Sequence, residues 1–264
     1  MKKFNTFTLA EVFHPAQQSC KIAFTLAEVL ITLGIIGVVA ALTMPSLINN
    51  YKINKKVNLL NQSYSIMQHA FMMAIKEHGE SRYWDCPSTE TGKYDENNKQ
   101  ILDMSGAEQL IKYLSENINH TKTTKPFVHK ESPLHGATKT SIETPKEQYI
   151  HLNNGSIIIA GYTSKPRMTG DLVVILPGCE KSVCKEGIDT FHFKVDYLKS
   201  RIVPFGSPAP ALTSLNIPQF ETHCNINKNI SLNGFGCTAW VVYNKNMDYL
   251  HCDDLSWNGK RKCN

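Results

Sequence analysis

Residues 24–48, FTLAEVLITLGIIGVVAALTMPSLI, form an apolar run with one charged side chain, Glu28, near its start. Coiled as an α-helix, the run reaches about 37 Å at roughly 1.5 Å per residue, enough to cross a bilayer core of about 30 Å. A carboxylate in such a helix costs up to roughly 3 kcal/mol near the bilayer centre. Glu28 therefore calls for a compensating group, usually a partner charge in membrane segments. Lys2, Lys3 and Lys21 precede the run. That asymmetry predicts a cytoplasmic N-terminus, one span, and an extracytoplasmic chain after Asn49.

A basic start and an apolar middle also describe a secretory signal peptide. The run is too long for a signal core, however, and no small-x-small cleavage site closes it. Thr43-Met44-Pro45-Ser46 leads straight into more chain. Beyond it the pattern changes from uniformly apolar to periodic. Ile53, Val57, Leu60, Tyr64, Met67, Phe71 and Ala74 recur three or four residues apart, with Lys52, Lys55, Lys56, Asn58, Gln62 and Lys76 around them. This is one apolar stripe on a helix, and it predicts an amphipathic continuation over residues 49–79, ended by Gly79. The first half of one long helix is read as lying in lipid and the second half as packing on a sheet.

Ala23-Phe24-Thr25-Leu26-Ala27-Glu28 followed by Val29-Leu30-Ile31 resembles the cleavage and methylation motif of type IV prepilins and type II secretion pseudopilins. The resemblance runs from Ile22 to about Gly79. It implies cutting between Ala23 and Phe24 by a prepilin peptidase on the cytoplasmic side, and N-methylation of Phe24. The family more often has Gly where this chain has Ala23. Gly34, Gly37 and Pro45 fall where such pilins carry small packing residues and a helix-bending proline. In a filament of packed apolar helices, the Glu28 carboxylate can pair with the free amine of a neighbouring subunit's Phe24, and a buried charge with a partner is tolerable where a lone one is not. Thr25 and Glu28 also form a capping box, which satisfies orphan N–H groups at a helix start. The two roles are compatible.

Phe7-Thr8-Leu9-Ala10-Glu11-Val12 repeats residues 24–29 letter for letter. His14, Pro15, Gln17 and Gln18 follow the first copy, so no membrane helix can present it. Residues 1–23 are read as a removable leader, 24–48 as the transmembrane and polymerisation helix, and 80–264 as an extracytoplasmic globular domain large enough for a core of its own. The formal charge is +5, and removal of three Lys and one Glu with the leader leaves +3. No Lys/Arg run argues for nucleic acid.

Within the globular part, Gly106–Asn117 reads as a helix with Ala107, Leu110, Ile111 and Leu114 on one face, inside an otherwise irregular polar stretch over 80–148. Strands are predicted at Tyr149–Leu152, Ser156–Ala160, Asp171–Leu176, Thr190–Val195, Arg201–Pro204 and Thr238–Tyr243. The first two are joined by a tight turn at Asn153-Asn154-Gly155. A long helix followed by about five strands predicts an α+β fold with an antiparallel sheet, pilin-like by the resemblance.

Cys20 leaves with the leader, and the seven other cysteines all follow the span, on the side where disulfides persist. Cys179 with Cys184, and Cys237 with Cys252, are the predicted pairs; Cys263 could tie the tail to Cys224 or Cys86. An odd count leaves one thiol free or paired between chains. Zinc is the competing reading, suggested by His223-Cys224 and His251-Cys252, but adjacent ligands rarely fit one tetrahedral site and there is no C-x-x-C. His129, His135 and His151 have no metal-like spacing. Pseudopilins often carry a calcium loop, yet Pro177–Lys181 and Gly187–Asp189 hold few carboxylates. No metal or other cofactor is assigned.

No nucleophile elbow, zinc-protease, phosphate-loop or dinucleotide motif is present, and Asp253-Asp254 beside His251 is a weak basis for acid–base chemistry. The resemblance implies a non-enzymatic structural subunit of a type II secretion pseudopilus or type IV pilus. Its implied partners are the prepilin peptidase, other pilin or pseudopilin subunits, the inner-membrane assembly platform and membrane lipid. The alternative is a minor pilin whose outer domain binds a secreted substrate, a surface or DNA.

Overall fold

The computed structural model describes residues 25–98, 100–121, 149–178, 184–208, 217–225 and 230–263. The chain divides into two compact units, with the boundary after Ile48. Helix α1 (Leu26–His78) runs through that boundary. In the first unit its apolar side chains are exposed, Leu26 at 78% and Leu42 at 76% among them. Pro45 lies inside the helix, where it removes one backbone donor.

In the second unit α1 is amphipathic. Val57, Leu60, Met67, Phe71 and Ala74 of the stripe are buried, while Ile53 and Tyr64 pack partly buried against the same core. Ser63 and Ala70 are buried with them, widening the covered face beyond the stripe. The helix stops at Gly79, whose φ of +80° suits a residue without a Cβ. The Gly79 carbonyl accepts the indole N–H of Trp84 at 3.0 Å, and Trp84 meets Phe71 edge-on at 5.6 Å.

Two short antiparallel strands follow, β1 (Glu90–Tyr94) and β2 (Gln100–Leu102), in the region read from sequence as irregular. Helix α2 (Ser105–Ser115) then buries Ala107, Leu110, Ile111 and Leu114, the face predicted for it. Asp103 Oδ1 accepts the backbone N–H of Ser105 at 2.9 Å and its hydroxyl at 2.6 Å. These two bonds hold the Asp103 carboxyl below its ordinary pKa.

The main sheet is an antiparallel meander in chain order. Its five principal strands are β4 (Tyr149–Leu152), β5 (Ile157–Ser164), β6 (Thr169–Ile175), β7 (Thr190–Asp196) and β8 (Arg201–Pro204). A two-residue strand β3 (His120–Thr121), paired with β4, extends that edge. Alternation assigns the faces. Leu172, Val174, Phe191, Phe193 and Val195 join the core with α1, where Tyr64 stacks on Phe193 at 5.3 Å. Ile157, Ile159, Val173 and Ile175 form a second cluster with Cys184. Both faces are covered, so these strands read as continuous apolar runs rather than as alternation.

The β4–β5 turn lies at Asn153-Asn154-Gly155, as the sequence suggests. Leu152 donates to Ser156 at 2.8 Å, which leaves a three-residue loop. Of that loop only Gly155 has a positive φ, +85°. Gly155 closes this turn with one left-handed residue.

The larger correction concerns Thr238–Tyr243. This segment is not a strand but the core of α4 (Thr238–Asn244), entered through a 3-10 turn at Phe235–Cys237 and preceded by the short α3 (Phe220–His223). Thr, Trp and Val favour strands, yet tertiary context overrides that weak preference. Five consecutive residues, Thr238–Val242, are buried, and a helix enclosed on all sides satisfies its backbone within itself. Trp240 stacks on Phe220 at 4.1 Å and lies 5.1 Å from Trp257, fixing the helix in an aromatic cluster.

With the strand goes the predicted Cys237–Cys252 bond. Cys237 pairs with Cys224, at the end of α3, across 13 residues, and Cys252 pairs with Cys263 across 11. The helix presents Cys237 to α3, so Cys263 ties the tail to neither Cys224 nor Cys86. Cys184 is also disulfide-bonded, but Cys179 lies outside the described residues.

Close backbone contact makes Gly206 a sensitive position. Its φ is +85°, and a Cβ there would sit 1.8 Å from the Gly236 carbonyl oxygen. Gly206→Ala is expected to destabilise the globular unit by more than about 2 kcal/mol. Urea unfolding followed by tryptophan fluorescence checks this, and a midpoint equal to wild type would contradict the reported backbone approach.

Candidate functional site

The site begins where α1 begins. Thr25 and Glu28 close a reciprocal box: the backbone N–H and the hydroxyl of Thr25 both donate to Glu28 Oε2 at 2.8 Å. The Glu28 N–H donates to Thr25 Oγ1 at 3.2 Å. Two of these three hydrogen bonds satisfy backbone donors that a helix start otherwise leaves orphaned. Both bonds to the carboxylate end on one oxygen, and Oε1 has no hydrogen-bond partner among the described residues. The carboxylate is therefore held in place by its own helix while keeping acceptor capacity for a donor from elsewhere.

Two further hydroxyls of the apolar segment are satisfied locally. Thr32 Oγ1 donates to the Val29 carbonyl at 3.0 Å, and Thr43 Oγ1 to the Val39 carbonyl at 2.9 Å. Such back-bonding removes the cost of a hydroxyl in hydrocarbon. A Cβ built on Gly34 or Gly37 meets nothing within 4 Å, so no contact in this chain requires glycine at either position. Ala23 and Phe24, the two residues of the predicted cleavage site, lie outside the described residues.

The globular unit carries polar groups of three kinds. The first is a buried network on β7. Glu186 Oε2 accepts the Thr190 hydroxyl at 2.6 Å and lies 2.7 Å from His192 Nε2. The His192 ring stacks on Phe235 at 3.8 Å, and its backbone N–H donates to Thr238 Oγ1 at 2.9 Å. This network joins β7 to the start of α4. The second is an exposed group at the end of α1, where Glu77, His78 and Glu116 bring their ligand atoms within 4.8 Å of one another. Glu116 accepts from His78 at 2.6 Å and Asn117 donates to Glu77 at 3.0 Å, so ion pairing and hydrogen bonding already account for the arrangement.

Two open grooves make the third kind. One is polar and lies by the ends of β5 and β6, with Tyr162, Arg167 and an Asp171–Lys194 ion pair in its lining. The other lies beside residues 49–56 of α1, where Lys52 and Lys56 share a lining with Lys185 and Asp189. Neither groove was foreseen from sequence, because their residues come from segments more than 60 positions apart. The run Lys52, Lys55, Lys56 was the one legible signal, and it reads equally well as a solvated helix face.

The other sequence candidates resolve as follows. Cys224 and Cys252 are consumed by disulfides, so neither is a thiolate ligand beside His223 or His251. Asp254 is paired with Lys260 at 2.9 Å, and the hydrogen bond from that ammonium holds its carboxyl below the ordinary value. His129 and His135 lie outside the described residues. Comparisons of the chain with protein-family models, with curated proteins and with solved structures find no match.

Cys86 is a buried free thiol. Burial pushes its pKa up, which suppresses the reactive thiolate. A thiol reagent at pH 8 is expected to leave Cys86 unmodified in the native protein and to label it once denatured, by peptide mass spectrometry. Rapid native labelling would contradict its burial.

Burial also pushes Tyr64 up to about 12, and Tyr197 and Tyr249 higher than the ordinary phenol value. An unfolded tyrosine titrates near about 10. These raised values therefore stabilise the fold fully below that pH and progressively less as pH rises toward and past 12. Absorbance of tyrosinate should show late-titrating residues that ionise together with loss of the circular dichroism signal. Titration of every tyrosine near pH 10 with the fold intact would contradict it.

Proposed function

We propose that this chain is a pilin-like structural subunit, anchored and assembled through the first half of α1, of a type II secretion pseudopilus or a type IV pilus. One observation carries the reading: a closed Thr25–Glu28 box heads an exposed apolar helix that continues as an amphipathic helix packed on an antiparallel sheet. The helix is long and apolar enough to cross a membrane. In this reading prepilin peptidase cuts between Ala23 and Phe24 and methylates the new amine. The subunit then waits in the inner membrane with its N-terminus cytoplasmic before it joins a filament at the assembly platform.

The box suits that sequence of events. Before assembly Glu28 is partly neutralised by hydrogen bonds from its own helix, which lowers the cost of placing it in lipid. During assembly Oε1 takes the N-methylated amine of a neighbouring Phe24, a charge-assisted bond that the box does not need to break. Gly34 and Gly37 then let helices approach where no contact within the chain asks for glycine. Pro45 lets the helix adjust its path at the end of the span.

A second reading, a minor pilin that acts as a binding module, is favoured by the polar groove at Tyr162, Arg167, Asp171 and Lys194. An aromatic ring half exposed beside paired charges suits a polar ligand. The two readings share the same N-terminal machinery and differ in abundance, because a major filament subunit is made in large excess.

Glu28→Ala is expected to leave membrane insertion intact and to abolish incorporation into filaments, scored by shearing and immunoblotting in the native host. Normal incorporation of the variant removes the assembly role of Glu28. N-terminal sequencing of the mature protein should read methyl-Phe24 first; a mature chain beginning at Phe7 would assign processing to the first copy of the motif instead.

A further inference from the structure

The groove beside residues 49–56 has a composition that the fold does not need. Its lining carries three lysines, Lys52, Lys56 and Lys185, against one carboxylate, Asp189. That carboxylate is already committed: Oδ1 takes Lys56 Nζ at 2.7 Å and Oδ2 takes the Lys185 backbone N–H at 3.0 Å. The Lys52 and Lys185 ammonium groups have no carboxylate partner among the described residues, and both residues are exposed. Among the described residues, the groove is therefore a concave surface with two uncompensated positive charges. Its walls are apolar, with Ile53, Ile188 and Leu250 beside the cations, and His251 completes the lining.

Position along α1 selects the ligand. Lys52 stands four residues beyond Ile48, about 6 Å along the helix axis at roughly 1.5 Å per residue. The headgroup layer adds about 5–8 Å on each side of the hydrocarbon. On the reading that residues 24–48 span the membrane, Lys52 lies at the level of lipid phosphates. Uncompensated lysines at that depth attract anionic lipid, and apolar walls beside them suit the glycerol and first acyl carbons.

We infer that this groove is a binding site for the phosphate headgroup of an anionic phospholipid of the outer leaflet. Lys52 and Lys185 are the phosphate ligands, and the Lys56–Asp189 pair holds α1 against the β6–β7 connection so that the two lysines face one another across the groove. The inference rests on the membrane-spanning reading of residues 24–48. It adds a specific lipid contact to the non-specific anchoring that the apolar helix supplies.

The test uses the full chain reconstituted into vesicles of phosphatidylcholine with phosphatidylglycerol, and into phosphatidylcholine alone. Gentle detergent extraction and mass spectrometry then count retained lipid. Wild type is expected to retain phosphatidylglycerol in preference to phosphatidylcholine. The Lys52→Glu, Lys185→Glu double variant should lose about tenfold of that preference. Lys112→Glu with Lys262→Glu, an equal charge change at exposed positions outside the groove, should keep it.

Equal loss in both double variants would overturn the site in favour of diffuse attraction, and so would retention unchanged by the groove variant. Displacement of phosphatidylglycerol by millimolar inorganic phosphate would also overturn it, reassigning the groove to a soluble anion. In those three outcomes the protein still enters vesicles of either composition. Failure to enter both would instead overturn the membrane-spanning reading on which the inference stands.

Discussion

The packing of one helix stripe on one sheet face is the interaction from which the globular unit is built. Val57, Leu60, Met67, Phe71 and Ala74 cover the face formed by Leu172, Val174, Phe191, Phe193 and Val195. Each of these side chains larger than alanine contributes about 1.5–3 kcal/mol on burial, so this seam outweighs any polar contact in the unit. It also fixes the direction of residues 49–78 of α1 against the sheet. The polar links along it, Lys56 to Asp189 and the Tyr64 hydroxyl to the Ile202 carbonyl at 3.3 Å, set rotation and register rather than supplying the main stability.

Against that frame the ends of α1 face opposite problems. At its start the helix has orphan donors and a carboxylate in an apolar segment, and the Thr25–Glu28 box answers both with the same atoms. At its end Gly79 takes a left-handed conformation and Trp84 returns a hydrogen bond to its carbonyl. Between them Thr32 and Thr43 fold their hydroxyls back on the backbone. Thr25, Glu28, Thr32 and Thr43 thus find their hydrogen bonds within the helix itself, which is the condition that hydrocarbon imposes on polar groups.

The second half of the chain is held differently. Few apolar stripes remain after β8, and the stretch from Phe220 to Cys263 is fixed by aromatic stacking and two short disulfide loops. Phe220, Trp240 and Trp257 make the cluster, Cys224–Cys237 closes one end, and Cys252–Cys263 ties down the tail. A cross-link over loops of this length is worth about 3 kcal/mol, comparable to burying one large side chain. The buried Glu186–His192 pair, satisfied by Thr190, then joins this region to the sheet through Thr238.

What could be read from the chain alone was whatever depends on local order. The long helix, its change from uniformly apolar to striped at residue 49 and the buried face of α2 leave a periodic trace in neighbouring residues, and the five strands from Tyr149 to Pro204 leave short apolar runs bounded by turn residues. The Thr25–Glu28 box is equally local, its two residues standing three apart. What local order could not supply was decided by segments far apart. Thr238–Asn244 has the composition of a strand and becomes a helix because its surroundings bury every face. Cysteine pairing followed that change, since a disulfide depends on where two Cβ atoms meet and not on what lies between them. The groove of Lys52, Lys56, Lys185 and Asp189 exists only because a helix and a connection between strands, more than 120 residues apart, are brought together by the hydrophobic seam between them.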